Sequence, residues 1–140
     1  MKIDIRRDAH KGKIQQQCIL LDERLPAYIN KPVNIQFDYE IEHLPDYYLL
    51  KLEEQANIEL ICQRCSDIWQ YDYSNTHEIA VFNNDKNVEI YASSLDVIVC
   101  PDLILDIKEI LLDNMHLFVP EKHEYVDQCN QDQLKLFSND

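Results

Sequence analysis

The 140-residue chain contains a single glycine, Gly12. That scarcity removes the glycine-rich phosphate loops of nucleotide-binding folds, whose backbones need several unhindered positions close to the ligand. Tight turns must then be made by other residues: Asn30 with Pro32, Pro45-Asp46, and Asn83-Asn84-Asp85. No apolar run approaches the roughly 18 residues that a membrane span needs. The opening MKIDIRRDAHKGK is charged and lacks the apolar centre of a signal peptide. A cytoplasmic protein with no membrane partner is expected. No Gly-x-Ser-x-Gly elbow and no His-Glu-x-x-His helix occurs, and the five histidines are scattered along the chain. The expectation is therefore not an enzyme.

Basic charge is also scarce, with 13 Lys and Arg against 26 Asp and Glu, a formal net charge of −13. It is unevenly placed. Up to Arg24 there are six basic and four acidic residues; beyond it there are seven basic and 22 acidic. A body of that sign repels phosphate backbones and attracts basic partners, although an acidic surface also serves solubility alone. Direct RNA contact would have to begin at Arg6, Arg7, Lys11 and Lys13. Arg64 is a further candidate cation for a partner contact.

The clearest pattern follows Pro32, where Val33, Ile35, Phe37, Tyr39 and Ile41 alternate with polar residues. Period two over nine residues predicts a strand with one buried face. YYLLKLE, the stretch Ala56 to Cys62, WQYDY, HEIAVF (77–82) and VEIY (88–91) read as further short strands. Glu53-Glu54 reads as a solvated turn. The period then changes: Pro101-Asp102 reads as a helix start with Asp102 as N-cap, and Leu103, Ile107, Ile110, Leu111 and Met115 line one face. The fold class expected is α+β, a meandering antiparallel sheet of about six short strands with one main C-terminal helix packed on it. The organisation expected is a basic arm or short helix over 1–30, a single domain over 31–120, and a polar tail over 121–140.

Five cysteines, an odd number with no export signal, argue against a disulfide framework. Cys18 and Cys100 lie beside apolar residues and are expected to be small buried hydrophobes. Cys62-Gln63-Arg64-Cys65 sits where two strands meet, the geometry of a zinc knuckle in which a tight turn presents two thiolates. His123 and Cys129 are the nearest plausible suppliers of the other two ligands; Cys100, His116 and His77 are weaker options. Two other readings stay open: a hairpin turn with two reduced thiols, and a thiol redox pair. The redox pair would need a following helix, whereas WQYDY follows.

The order of these features resembles the YceD family, bacterial large ribosomal RNA subunit accumulation proteins. The resemblance covers roughly residues 30 to 130 and rests on Cys62-Gln63-Arg64-Cys65, the helix Asp102 to Leu112 with Glu109, and Val119-Pro120. It implies a non-enzymatic cytoplasmic factor supporting synthesis, processing or accumulation of large-subunit ribosomal RNA. Many members carry a second Cys pair after the helix, where this chain offers His123 and Cys129. Joined to the charge argument, the expected partner is a basic large-subunit ribosomal protein or assembly factor, with ribosomal RNA contacted directly or indirectly. The alternatives are a zinc-knuckle nucleic-acid-binding module and a CxxC thiol redox protein.

Overall fold

The computed structural model describes residues 1–137. Its centre is a five-stranded sheet in the order β2-β3-β4-β5-β6. Strands β2 (Ile14–Leu21), β3 (Val33–His43), β4 (Tyr48–Ile61) and β5 (Ile68–Phe82) form an antiparallel meander, and β6 (Asp96–Val99) adds in parallel to β5. A second, two-stranded sheet pairs β1 (Lys2–Asp4) with β7 (Ile104–Asp106). Helix α3 (Ile107–Phe118) packs on the inner face of the large sheet. The fold is mixed α+β with a meandering antiparallel sheet, as the hydrophobic periodicity predicts.

The alternation in β3 does what period two requires: Val33, Ile35, Phe37, Tyr39 and Ile41 are all buried, and the residues between them face outward. The inner face continues as Leu50, Leu52, Ile58 and Leu60 of β4 and Tyr73, Ile79 and Val81 of β5. From α3, Ile107, Ile110, Leu111 and Met115 complete the core. Each fully buried Leu or Ile contributes ~1.5–3 kcal/mol, so this face carries most of the fold's stability.

Several elements differ from the sequence reading. WQYDY and HEIAVF are one 15-residue strand, because Ser74 and Thr76 face outward while Asn75 turns inward toward a polar partner. VEIY is not a strand but the helical turn α2 (Val88–Tyr91), inside the crossover that a parallel β5–β6 pair requires. Four alternating residues cannot distinguish one helical turn from a short strand. Helix α3 starts at Ile107 rather than at Pro101-Asp102, and its N-cap is Asp106, whose carboxylate accepts from the Lys108 amide at 3.1 Å. Asp102 instead accepts from the Ile104 amide in a turn where Leu103 has φ 54°, and β1 captures the next three residues as β7.

Residues 1–30 are not an arm. They supply β1, the helical turn α1 (Ile5–Asp8) and the edge strand β2, with Ile3, Ile5 and Leu21 in the core. Residues 121–137 are not a loose tail: they hold a 3-10 turn (Val126–Gln128) and α4 (Gln131–Phe137). Cys18 is exposed and Cys100 half-buried rather than core, since Cys18 falls on the outer face of β2.

A buried polar contact ties the N-terminal turn to the sheet. The Asp8 carboxylate is 2% exposed and accepts from the Tyr39 hydroxyl at 2.8 Å, with Arg7 and Lys11 as ion-pair partners. Burial alone would raise the Asp8 carboxyl, but those three hydrogen bonds outweigh it and hold it below the usual range. Tyr39→Phe is expected to cost about 1–3 kcal/mol in urea unfolding with an unchanged denaturant slope, because a buried carboxylate loses a donor. A change below a few tenths would mean water replaces the hydroxyl at no cost.

Candidate metal centre

The hairpin joining β4 to β5 brings the first two thiols together. Ile61 pairs with Ile68 as the last rung, and Cys62 to Asp67 make the turn, closed by Cys62 N to Asp67 O (2.9 Å) and Ser66 N to Cys62 O (2.7 Å). Ser66 takes φ 64° there, in a chain with little glycine to supply such positions. The backbone leaving α3 then returns alongside the turn. Gln63 N donates to Glu121 O at 2.8 Å, and the Arg64 guanidinium donates to the His123 carbonyl.

These contacts place Cys62, Cys65, His123 and Cys129 so that their ligand atoms all lie within 4.8 Å of one another, each residue buried. The Cys62 and Cys129 sulfurs are 3.8 Å apart, and His123 Nδ1 lies 3.7 Å from Cys65 Sγ and 3.5 Å from Cys129 Sγ. A tetrahedral ion with Zn–S near 2.3 Å and Zn–N near 2.0–2.1 Å has S–S edges of about 3.8 Å and S–N edges of about 3.6 Å. Those three separations match such edges, and the remaining pairs lie within 4.8 Å. They are also far beyond the roughly 2.05 Å of a disulfide, and all five cysteines are free. The set Cys3His is a closed donor set for a structural metal, compatible with zinc.

The protonation pattern fits the same chemistry. Burial pushes the Cys62 thiol up, but amides of His123, Cys65 and Arg64 aimed at the sulfur outweigh it and bring it to about 6. Burial, with the facing Cys62 and Cys65 thiols, pushes Cys129 up to about 11. A divalent ion would offset the burial and thiol neighbours that hold the Cys129 thiol up, and would release its proton on binding. Around the donors, Trp69 stacks on the His123 ring at 4.2 Å and 29°, and Leu134 of α4 packs against the cysteines.

The weaker ligand options lie elsewhere. His116 faces the Arg24 carbonyl at 2.8 Å, His77 pairs with Asp96 at 2.6 Å, and Cys100 contacts Asp102 and the Ile104 carbonyl. The candidate RNA-contacting cations do not gather at the centre. Arg6, Arg7, Lys11 and Lys13 belong to α1 and the turn after it, where Arg7 and Lys11 pair with Asp8 and Lys13 with Glu53. Arg64 is engaged within the knuckle.

One polar group was missed by sequence reasoning. Glu54 is not in a solvated turn but at the middle of β4, 1% exposed, facing Asn75 across the β4–β5 pair. Its carboxylate accepts from the Tyr73 hydroxyl (2.9 Å), Asn75 Nδ2 (2.8 Å) and Asn114 Nδ2 (3.1 and 3.2 Å). Asn114 comes from α3, so this carboxylate fastens the helix to the sheet. The available signal was phase: Glu54 shares the inward parity of Leu52, Ile58 and Leu60. No protein-family model, curated protein or solved structure matches the chain.

Proposed function

We propose that the protein is a non-enzymatic, zinc-stapled binding module that holds a basic partner, a large-subunit ribosomal protein or assembly factor, in the cytoplasm. The observation that carries the reading is the Cys3His cluster, four ligand atoms within 4.8 Å, drawn from a hairpin turn and from a segment some sixty residues later. A closed four-donor set leaves no open coordination position for substrate, which favours a structural ion over a catalytic one. The Cys62-Cys65 pair opens a strand, not a helix, so it lacks the dipole that activates redox pairs.

What supports the partner class is the outer face of the large sheet. Asp38, Glu40, Glu42, Glu53, Asp72 and Glu78 point outward there. Lys51 is the one basic residue among the outward positions of β3 to β5. A field of that sign speeds association with basic proteins and opposes approach of RNA. The ribosomal setting rests on the resemblance to the YceD family. No helix among the described residues is long and apolar enough to cross a membrane.

Metal analysis of protein purified without a metal-affinity tag is expected to give about one zinc per chain. A pull-down against purified ribosomal components at low and high salt is expected to recover basic proteins in a salt-sensitive manner. Metal-free protein that melts normally sinks the zinc staple. Recovery of naked ribosomal RNA with no protein sinks the partner class.

A further inference from the structure

Helix α3 ends at Phe118, short of the hairpin turn, so it does not cover the whole inner face of β5. At the uncovered end, Trp69 and Tyr71 line a groove of about 600 Å³ together with Phe118 and Pro120 and with residues 121–124 of the segment after α3, Lys122 among them. Phe118 is 47% exposed although it is a large apolar side chain at the rim. Three aromatic side chains thus line one opening, with Trp69 half-buried and stacked on His123.

Of the charged residues lining the groove, Glu121 and Glu124 outnumber Lys122, and Asp127 is exposed in the same segment. The nearby Arg64 guanidinium is turned to the His123 carbonyl. Aromatic faces attract cations through their quadrupoles, and carboxylates beside them complete the complement of a guanidinium or ammonium group. A nucleobase could stack on the same rings, but its phosphates would meet this acidic rim.

The geometry points to this groove as the docking site for an arginine or lysine side chain, with its flanking aliphatic residue, from an extended segment of the basic partner. This rests on the reading of a basic protein partner and locates where that partner is gripped. The cationic head lies over Trp69, Tyr71 and Phe118 and faces Glu121 and Glu124. His123 lies between the two glutamates in the chain, lines the groove and belongs to the Cys3His cluster, so the shape of the groove depends on that cluster.

Trp69 is the sole tryptophan, which makes its fluorescence a direct reporter. The experiment titrates zinc-loaded full-length protein with a short blocked peptide of alternating arginine and leucine, and with its glutamate-for-arginine counterpart. The arginine peptide is expected to shift Trp69 emission saturably, and the glutamate peptide to leave it unchanged. Phe118→Ala and Glu121→Lys are each expected to weaken binding about tenfold with zinc content unchanged, while Leu117→Ala, 70% exposed and outside the groove, has no effect. Equal response to both peptides, or tighter binding of a single-stranded oligouridylate, overturns the inference. So does undiminished affinity in Phe118→Ala and Glu121→Lys. Should peptide binding survive those two changes and vanish on Glu53→Lys, the partner sits on the outer sheet face; the groove is then refuted and the basic-partner reading stands.

Discussion

Cys129→Ser in the zinc-loaded protein is expected to lower the melting temperature by on the order of 10 °C and to free the segment after α3. A ligand bound only by the folded state stabilises it by ~4 kcal/mol at a thousand times its dissociation constant. Each kcal/mol moves the midpoint of a chain this size by roughly 2–8 °C. The segment has few other anchors: Gln63 N to Glu121 O, Arg64 to the His123 carbonyl, and the Tyr28 hydroxyl to the Val119 carbonyl at 3.1 Å. The sheet and α3 keep their own core, so the variant is expected to remain folded while residues 119–137 lose amide-exchange protection. Chelation should reproduce the loss in the wild type and add little in the variant. Cys18→Ser, on the exposed outer face, should leave the midpoint unchanged. An unmoved wild-type midpoint on chelation would falsify the metal staple.

Glu54→Ala is expected to cost at least about 3 kcal/mol, because it opens a cavity and leaves three donors, two of them on nearly fully buried residues, without an acceptor. Asn114 is 1% exposed and Tyr73 3%, so neither can turn to water without moving α3 or β5. Glu54→Gln separates shape from charge. Burial pushes the Glu54 carboxyl above its usual value of 4.5, against the hydrogen bonds from Asn75, Asn114 and Tyr73 and the nearby His77, which pull it down. A group whose folded-state pKa is raised adds stability that is full below the unfolded-state pKa and is lost as pH rises through the folded-state value. The stability gap between wild type and Glu54→Gln is therefore expected to move in favour of the wild type between about pH 7 and about pH 5. Any pH dependence of metal binding is shared by both proteins and drops out of the difference. Urea unfolding at both pH values checks this; a gap independent of pH would mean that Glu54 titrates as it does in the unfolded chain.

The readable parts of this molecule were those decided by a single local contrast. In β3 the alternation of Val33 to Ile41 with polar residues had one explanation, because one face meets a core and the other water. The Cys3His cluster was legible by donor type, since His123 and Cys129 were the nearest such residues beyond the helix, and the fold brings them to Cys62 and Cys65. What stayed hidden depended on distant partners. Asp102 carries good N-cap chemistry, but β1 lies a hundred residues earlier and claims Ile104 to Asp106 as a strand. Glu54 beside Glu53 looks solvated until Asn114, sixty residues on, supplies its donors. The Trp69–His123 stack joins two segments whose approach no periodicity encodes.

The long β4–β5 hairpin also sets an order in time. Its rungs run from Ile61 opposite Ile68 out to Tyr48 opposite Val81, so each new pair adds only a small increment of chain closure to the one before. Such a hairpin can zip within microseconds, whereas joining Ile3 to Leu105 must enclose about a hundred residues and comes late. Cys62 and Cys65 sit at the turn of that hairpin, whereas His123 and Cys129 lie beyond α3 in the chain. A chain that folds in this order presents two thiols first and the other two donors last, so an ion bound at the hairpin tip would be enclosed only when assembly is complete.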